Sequence, residues 1–252
     1  MTDPVVRMAT ALALALGAVP AQADEVLVAV AANFAAPMTR LAEAFTAATG
    51  HTLKLASGAT GKFYSQIVSG APFEVLLSAD DTTPRRLIAE GHAVAGSAFT
   101  YAVGQLVLWS ATPGLVDAQG AVLASGRFRK IAIASPKTAP YGRAAMEVLV
   151  ARGLEGPLSL KLVTGESVAQ AYQFVATGNA ELGFVALSQV SVPGKALVGS
   201  MWRVPASLHA PMRQDAVLLK AGAGKPAAAA LLQWLRSEPA QAVIQSYGYA
   251  RG

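Results

Sequence analysis

Leu55-Ala56-Ser57-Gly58-Ala59-Thr60-Gly61-Lys62-Phe63-Tyr64 is the stretch whose reading decides the fold. The run Thr52 to Ala56 reads as a strand, and Phe63 with Ile67 gives a short helix that Gly70 ends. The small and hydroxyl-bearing residues between them therefore form a turn from strand into helix. The same design recurs at Ala31-Ala32-Asn33-Phe34 and at Ala139-Pro140-Tyr141-Gly142. Loops of this kind aim backbone N–H groups at one point in space.

Outward from that stretch the β-α alternation continues. Val26 to Ala31 is an apolar run suited to a strand buried on both faces. Met38, Leu41, Ala42 and Phe45 follow at helical spacing, with Pro37 in the first turn and Gly50 at the stop. Val75 to Leu77 is a third strand, and a helix carrying Leu87 and Ile88 ends at Gly91. Three β-α units in series argue for a doubly wound parallel sheet. Tyr101 to Trp109 reads as one longer strand. A second set of units then runs through strands at Ile131 to Ala134, Leu160 to Val163 and Leu182 to Ala186, with helices near 141–152 and 167–177 between them. Strand regions near 195–204 and 215–220 and two closing helices, 226–237 and 239–247, complete the chain. The long strand near 101–109 and another near 212–219 are natural places to leave a first lobe and return to it. The division expected is 24–104 with 213–252 as lobe 1 and 105–212 as lobe 2.

Residues 1–23 read as a cleaved secretory leader: Arg7 precedes the apolar run Met8 to Val19, and Ala21-Gln22-Ala23 is a small-x-small cleavage pattern ending at about Ala23. The apolar run is well short of the roughly 20 residues that span a bilayer. The chain has no cysteine, so neither disulfides nor a thiol-linked lipid is available. The net charge of +5 is mild, and no Lys/Arg cluster marks a nucleic-acid footprint. With 14% charged residues, the composition suits a packed α/β protein.

Few residues suggest chemistry. Gly58-Ala59-Thr60-Gly61-Lys62 is not a P-loop, which needs Gly at Ala56 and Ser or Thr at Phe63. What remains is a turn with the hydroxyls of Ser57 and Thr60 at a helix start, either an anion cradle or a plain turn that Thr60 caps. Asn33 stands past the end of the first strand, where ligands of open α/β sheets gather, or serves as an ordinary loop amide. Tyr141 follows Pro140 at a helix start, where its N–H lacks an intrahelical partner. Asp80 and Asp81 are adjacent and precede a helix, which fits stabilisation of its positive end better than a catalytic pair. His51, His92 and His209 lack metal-ligand spacing. Gly165-Glu166-Ser167-Val168-Ala169 lacks the second Gly of a nucleophile elbow, and Ser167 reads as a helix cap. An exported α/β hydrolase therefore has no nucleophile and base to rest on.

In order and spacing, four segments resemble the periplasmic molybdate-binding proteins of ABC importers, over essentially the whole mature chain. They are Ala29 to Phe34, Ser57 to Ile67, Gly70 to Asp80 and Leu182 to Gln189. The resemblance implies a two-lobe periplasmic-binding-protein fold of type II. Each lobe is then a mainly parallel sheet with flanking helices, and two crossing strands join the lobes. It implies a monomeric periplasmic protein that is no enzyme and has no cofactor. Such a protein closes on molybdate or tungstate and delivers it to permease and ATPase subunits. Carried over by position, the anion would meet Asn33 through its side chain and N–H, Thr60 through its hydroxyl, and Tyr141 and Val168 through backbone N–H. Ala32, Ala59, Ser57 and Ala186 are the secondary candidates, Ala59 because the alignment against Thr60 is loose by one residue. Many members carry a Tyr where Ala186 stands, and the Asn33 N–H2 group is expected to make up for that donor. A binder of another oxyanion, such as sulfate, is the nearest alternative.

Overall fold

The computed structural model describes residues 23–252. The expected leader, apart from Ala23, lies outside the described residues. Strands and helices alternate from the start: β1 (Glu25–Ala31), α1 (Ala35–Thr49), β2 (Thr52–Gly58), α2 (Thr60–Val68), β3 (Val75–Leu77), α3 (Thr82–Ala89) and β4 (Phe99–Gly104). The chain continues with β5 (Leu106–Ser110), α4 (Val122–Ser125), β6 (Ile131–Ala134), α5 (Pro140–Ala151), α6 (Glu155–Leu158), β7 (Leu162–Gly165) and α7 (Val168–Ala176). It ends with β8 (Leu182–Ala186), α8 (Leu187–Val190), β9 (Ser200–Arg203), β10 (Met212–Leu218), α9 (Pro226–Trp234) and α10 (Glu238–Ser246).

Two five-stranded sheets result, in the orders β2-β1-β3-β10-β4 and β7-β6-β8-β5-β9. Each is mixed. β1 pairs in parallel with β2 and β3, and β10 runs against both β3 and β4. In the second sheet β6 is parallel to β7 and β8, and β5 runs against β8 and β9. One strand in each sheet thus opposes the other four, because the chain crosses between lobes there and does not return through a helix.

The two-residue period of β1 sorts its side chains onto two cores. Val26, Val28 and Val30 join Met38, Leu41 and Phe45 of α1 and Leu231 and Ile244 of the closing helices. Ala29 faces the other way, onto Phe63 and Ile67 of α2 and Leu87 of α3. The second sheet has its own core, with Leu108, Ile133, Val148 and Phe184 fully or nearly fully buried.

The strand read as continuous from Tyr101 to Trp109 is divided. β4 belongs to one sheet, β5 to the other, and Gln105 alone lies between them. Gly104 and Gln105 interrupt the apolar run at that point, but they do not by themselves show that the backbone changes pairing partners there. The return crossing enters β10 at Met212, which pairs with Gly104, so the two crossings lie side by side. Beyond α10 the tail folds back on β4, with Val103 and Ala250 exchanging backbone hydrogen bonds of 2.8 and 3.0 Å.

Candidate functional site: a neutral cavity between the lobes

One cavity lies where the two sheets face each other. From the first lobe it is lined by Ala31, Ala32 and Asn33 after β1, Gly58, Ala59 and Thr60 before α2, and Ala79 after β3. The second lobe contributes Ala139, Pro140 and Tyr141 at the start of α5, and Ser167 and Val168 at the start of α7. At most about 210 Å³ of empty space is enclosed. Only about 10 Å³ of it is open to the centre of a water-sized sphere, on the order of one such sphere, so the space is far too small for a drug-sized molecule.

Its walls are the starts of α2, α5 and α7 and of the short 3-10 turn Ala32–Phe34 that leads into α1. First-turn N–H groups have no acceptor within their own helix, and aligned peptide dipoles add partial positive charge there. Among the described residues, no Lys, Arg, Asp, Glu or His lines the cavity. The one ionisable group is the Tyr141 hydroxyl, and burial pushes its pKa well above the usual phenol value, so it stays neutral. The chemistry on offer is hydrogen-bond donation from uncharged groups, which suits an anion that must also be released.

Thr60 is almost fully buried. α2 begins at Thr60 itself, with Ala59 as its N-cap and no side-chain cap, so the alternative of Thr60 as a helix cap does not hold. Its Oγ1 accepts the Ala79 N–H at 3.0 Å, which leaves the hydroxyl proton to donate. Ser167 caps α7, its side chain accepting from the Gln170 N–H at 3.4 Å, and Val168 opens that helix. Asp80 Oδ1 accepts the Thr83 N–H at the start of α3, while Asp81 pairs with Arg85, so these acids do structural work.

Two secondary candidates stand elsewhere. β2 continues through Gly58, two residues beyond the expected strand end, so Ser57 is still within the strand, paired with Val30, exposed and off the cavity wall. Ala186 is fully buried behind the wall, and its N–H donates to Gln189 Oε1 at 2.9 Å. A Tyr hydroxyl from that position has no counterpart here. Nor does the Asn33 N–H2 group stand free to replace it: Nδ2 donates to Gln214 Oε1 and to Tyr249 Oη, each at 2.9 Å.

Sequence reasoning missed this buried polar cluster. Tyr249 Oη also lies 2.9 Å from the Asn33 carbonyl oxygen and from Ser188 Oγ, and Ser188 Oγ donates to that same carbonyl at 2.8 Å. Tyr101 Oη lies 3.0 Å from Gln214 Oε1 and from the Ser78 carbonyl oxygen. No pattern in the sequence marked it: Gln214 is fully buried, yet it stands between Arg213 and Asp215 in β10. Gly104 makes room for the cluster, since a Cβ there would lie 2.4 Å from both Tyr141 Oη and Gln214 Nε2.

Contacts across the cleft ring the cavity. The Gly61 N–H donates to the Thr138 carbonyl oxygen at 2.9 Å. Lys62 Nζ meets Glu166 Oε2 at 2.5 Å, and an Arg143 guanidinium nitrogen meets Asp80 Oδ2 at 2.9 Å. Lys62, in the first turn of α2, is thus a contact between lobes.

The bacterial extracellular solute-binding protein family model matches residues 26–250. The chain is 58% identical to the molybdate-binding protein ModA of Azotobacter vinelandii over 249 residues, covering 99% of each chain. It is 55% identical to the molybdate-binding protein ModA of Rhodobacter capsulatus, covering 96% of this chain and 94% of that one. Among solved structures it superposes on the periplasmic molybdate-binding protein of A. vinelandii with a TM-score of 0.88 and 44% identity, covering 90% of this chain and 99% of that one. A family match across both sheets and the cavity between them, joined to identity well above 30%, places the chain: it belongs to the bacterial extracellular solute-binding proteins.

Proposed function

We propose that this protein captures molybdate, and tungstate with it, between two lobes (24–104 with 213–252, and 105–212) and delivers it to the permease and ATPase of an ABC importer. It works as a periplasmic monomer after loss of a leader that ends at about Ala23. The observation that carries the reading is the convergence of four helix starts on one small cavity that no charged side chain among the described residues lines. The Thr60 hydroxyl and the N–H groups of Asn33, Thr60, Tyr141 and Val168 are the donors. A buried dianion is costly unless its oxygens are hydrogen-bonded, and such a lining meets that need without an ion pair. The likeness to molybdate-binding relatives supports the choice of anion.

With Asn33 presenting a donor, a lining without acceptors disfavours protonated phosphate, whose O–H would be left unpaired at a cost of roughly 1–3 kcal/mol. Sulfate has the same charge and shape, so size must separate it from molybdate. Unfolding curves with molybdate, tungstate, sulfate and phosphate test the reading. An anion at 100 times its dissociation constant adds about 2.7 kcal/mol to stability. The expected result is an upward shift with molybdate and tungstate alone; a larger shift with sulfate establishes a sulfate binder instead.

A further inference from the structure

Asn33 is held from behind by groups that do not line the cavity. Its Nδ2 is 2.9 Å from Gln214 Oε1 and 2.9 Å from Tyr249 Oη, and among the described residues no donor reaches its Oδ1. Both amide protons are spent inside the protein, and the atom left for the cavity is an oxygen, which repels an anion. Tyr141 has a matching defect. Its Oη accepts from Gln214 Nε2 at 3.3 Å, and no described acceptor takes its own proton. An oxygen facing an anion is repulsive, and a buried hydroxyl proton without an acceptor leaves hydrogen-bonding capacity unused.

A half-turn of both side-chain amides exchanges nitrogen and oxygen without moving any other atom, and it removes both defects. Tyr141 Oη then donates to Gln214 Oε1. Gln214 Nε2 donates to Asn33 Oδ1 and toward Tyr101 Oη, whose own proton stays on the Ser78 carbonyl oxygen at 3.0 Å. Tyr249 Oη also has Asn33 Oδ1 as an acceptor. Asn33 Nδ2 is left to face the cavity as a two-proton donor.

We propose that Gln214 is a positioning residue for the anion. With the anion bound, its amide takes the reversed orientation, fixes Asn33 with nitrogen toward the anion, and is itself held by the Tyr141 hydroxyl of the opposite lobe. Gln214 is on β10 of the first lobe and Tyr141 on α5 of the second, so this support exists only when the lobes are together. Closure and donor polarity are thereby coupled through one buried amide. The inference deepens the binding reading and rests on it.

A double-mutant cycle tests it by calorimetric titration with molybdate. Gln214→Met keeps the size of the side chain and removes its hydrogen bonds; it is expected to weaken binding roughly 10- to 100-fold, the cost of misdirecting one buried donor. In an Asn33→Ala background the same change is expected to cost little more, because a residue acting through Asn33 has nothing left to act on. Equal losses in both backgrounds, or no loss in either, overturn the proposal. Wild-type protein that does not bind molybdate overturns the function itself, a separate result. Should Gln214→Met fail to fold, neutron diffraction from the deuterated wild-type molybdate complex decides. Deuterium on the Asn33 amide atom facing the anion, and on Tyr141 Oη toward Gln214, supports the proposal; oxygen facing the anion overturns it.

Discussion

The backbone of Gly61 donates to the carbonyl oxygen of Thr138 at 2.9 Å, joining the first turn of α2 in one lobe to the loop before α5 in the other. A Cβ on Gly61 would stand 3.0 Å from both Thr138 Cα and that oxygen. Glycine is therefore needed for the approach of the lobes, although its turn is not strained.

Gly61→Ala is accordingly expected to act on closure. Overpacking of a tight contact costs about 1–3 kcal/mol, so anion affinity should fall on the order of tenfold or more. Stability of the unliganded protein should change little if its lobes are free to part. Calorimetric titration and urea unfolding without ligand check the two halves.

The two ion pairs across the cleft should differ in weight. Lys62 and Glu166 side chains are 45% and 72% exposed, whereas the Asp80 side chain is 12% exposed. Exposed pairs contribute about 0.2–1 kcal/mol, so Lys62→Gln should alter affinity by less than about fivefold. Arg143→Gln should cost more, because the carboxylate left behind is largely buried. Titrations of both variants at low and high salt give the comparison, with the Lys62 contribution expected to vanish at high salt.

Thr60 carries two duties that substitution can separate. Thr60→Ser keeps the hydroxyl and is expected to keep binding. Thr60→Val removes the donor and leaves the buried Ala79 N–H without its acceptor, at a cost of about 1–3 kcal/mol. Urea unfolding of the unliganded Val variant should show that loss, and titration should show the loss of binding. A stable Val variant that still binds would remove Thr60 from the site.

Alkaline pH should unfold the protein through its buried tyrosines. Burial raises the hydroxyl pKa of Tyr101, Tyr141 and Tyr249, so the folded state resists ionisation that the unfolded chain undergoes near pH 10. A raised folded pKa means stability is intact below about pH 10 and falls as pH rises through and beyond it. Urea midpoints measured across that range, with phenolate absorbance as a second probe, should fall together. Tyr249→Phe should flatten the slope.

How far the chain could be read follows from the range of each interaction. The β-α alternation was legible because burial on both faces writes itself into short apolar runs, and helix ends into Gly50, Gly70 and Gly91. The loops holding Asn33, Thr60, Tyr141 and Val168 were legible because a helix start exposes N–H groups whatever its side chains are. The end of β2 was misjudged by two residues, which moved Ser57 off the wall, since strand ends are set by partners distant in sequence. Ala186 came from resemblance alone, which supplies a position and not its surroundings, and it is fully buried and off the cavity lining.

By itself the sequence determined the order of elements and the polarity of their ends, both consequences of local periodicity and residue type. Only the tertiary structure decided that the run from Tyr101 to Trp109 divides between two sheets, and that Lys62 reaches Glu166. It alone brought Gln214, Tyr249 and Ser188 around Asn33. These are contacts between residues some 60 to 220 positions apart, and a hydrogen bond depends on atoms meeting in space, which no local pattern encodes.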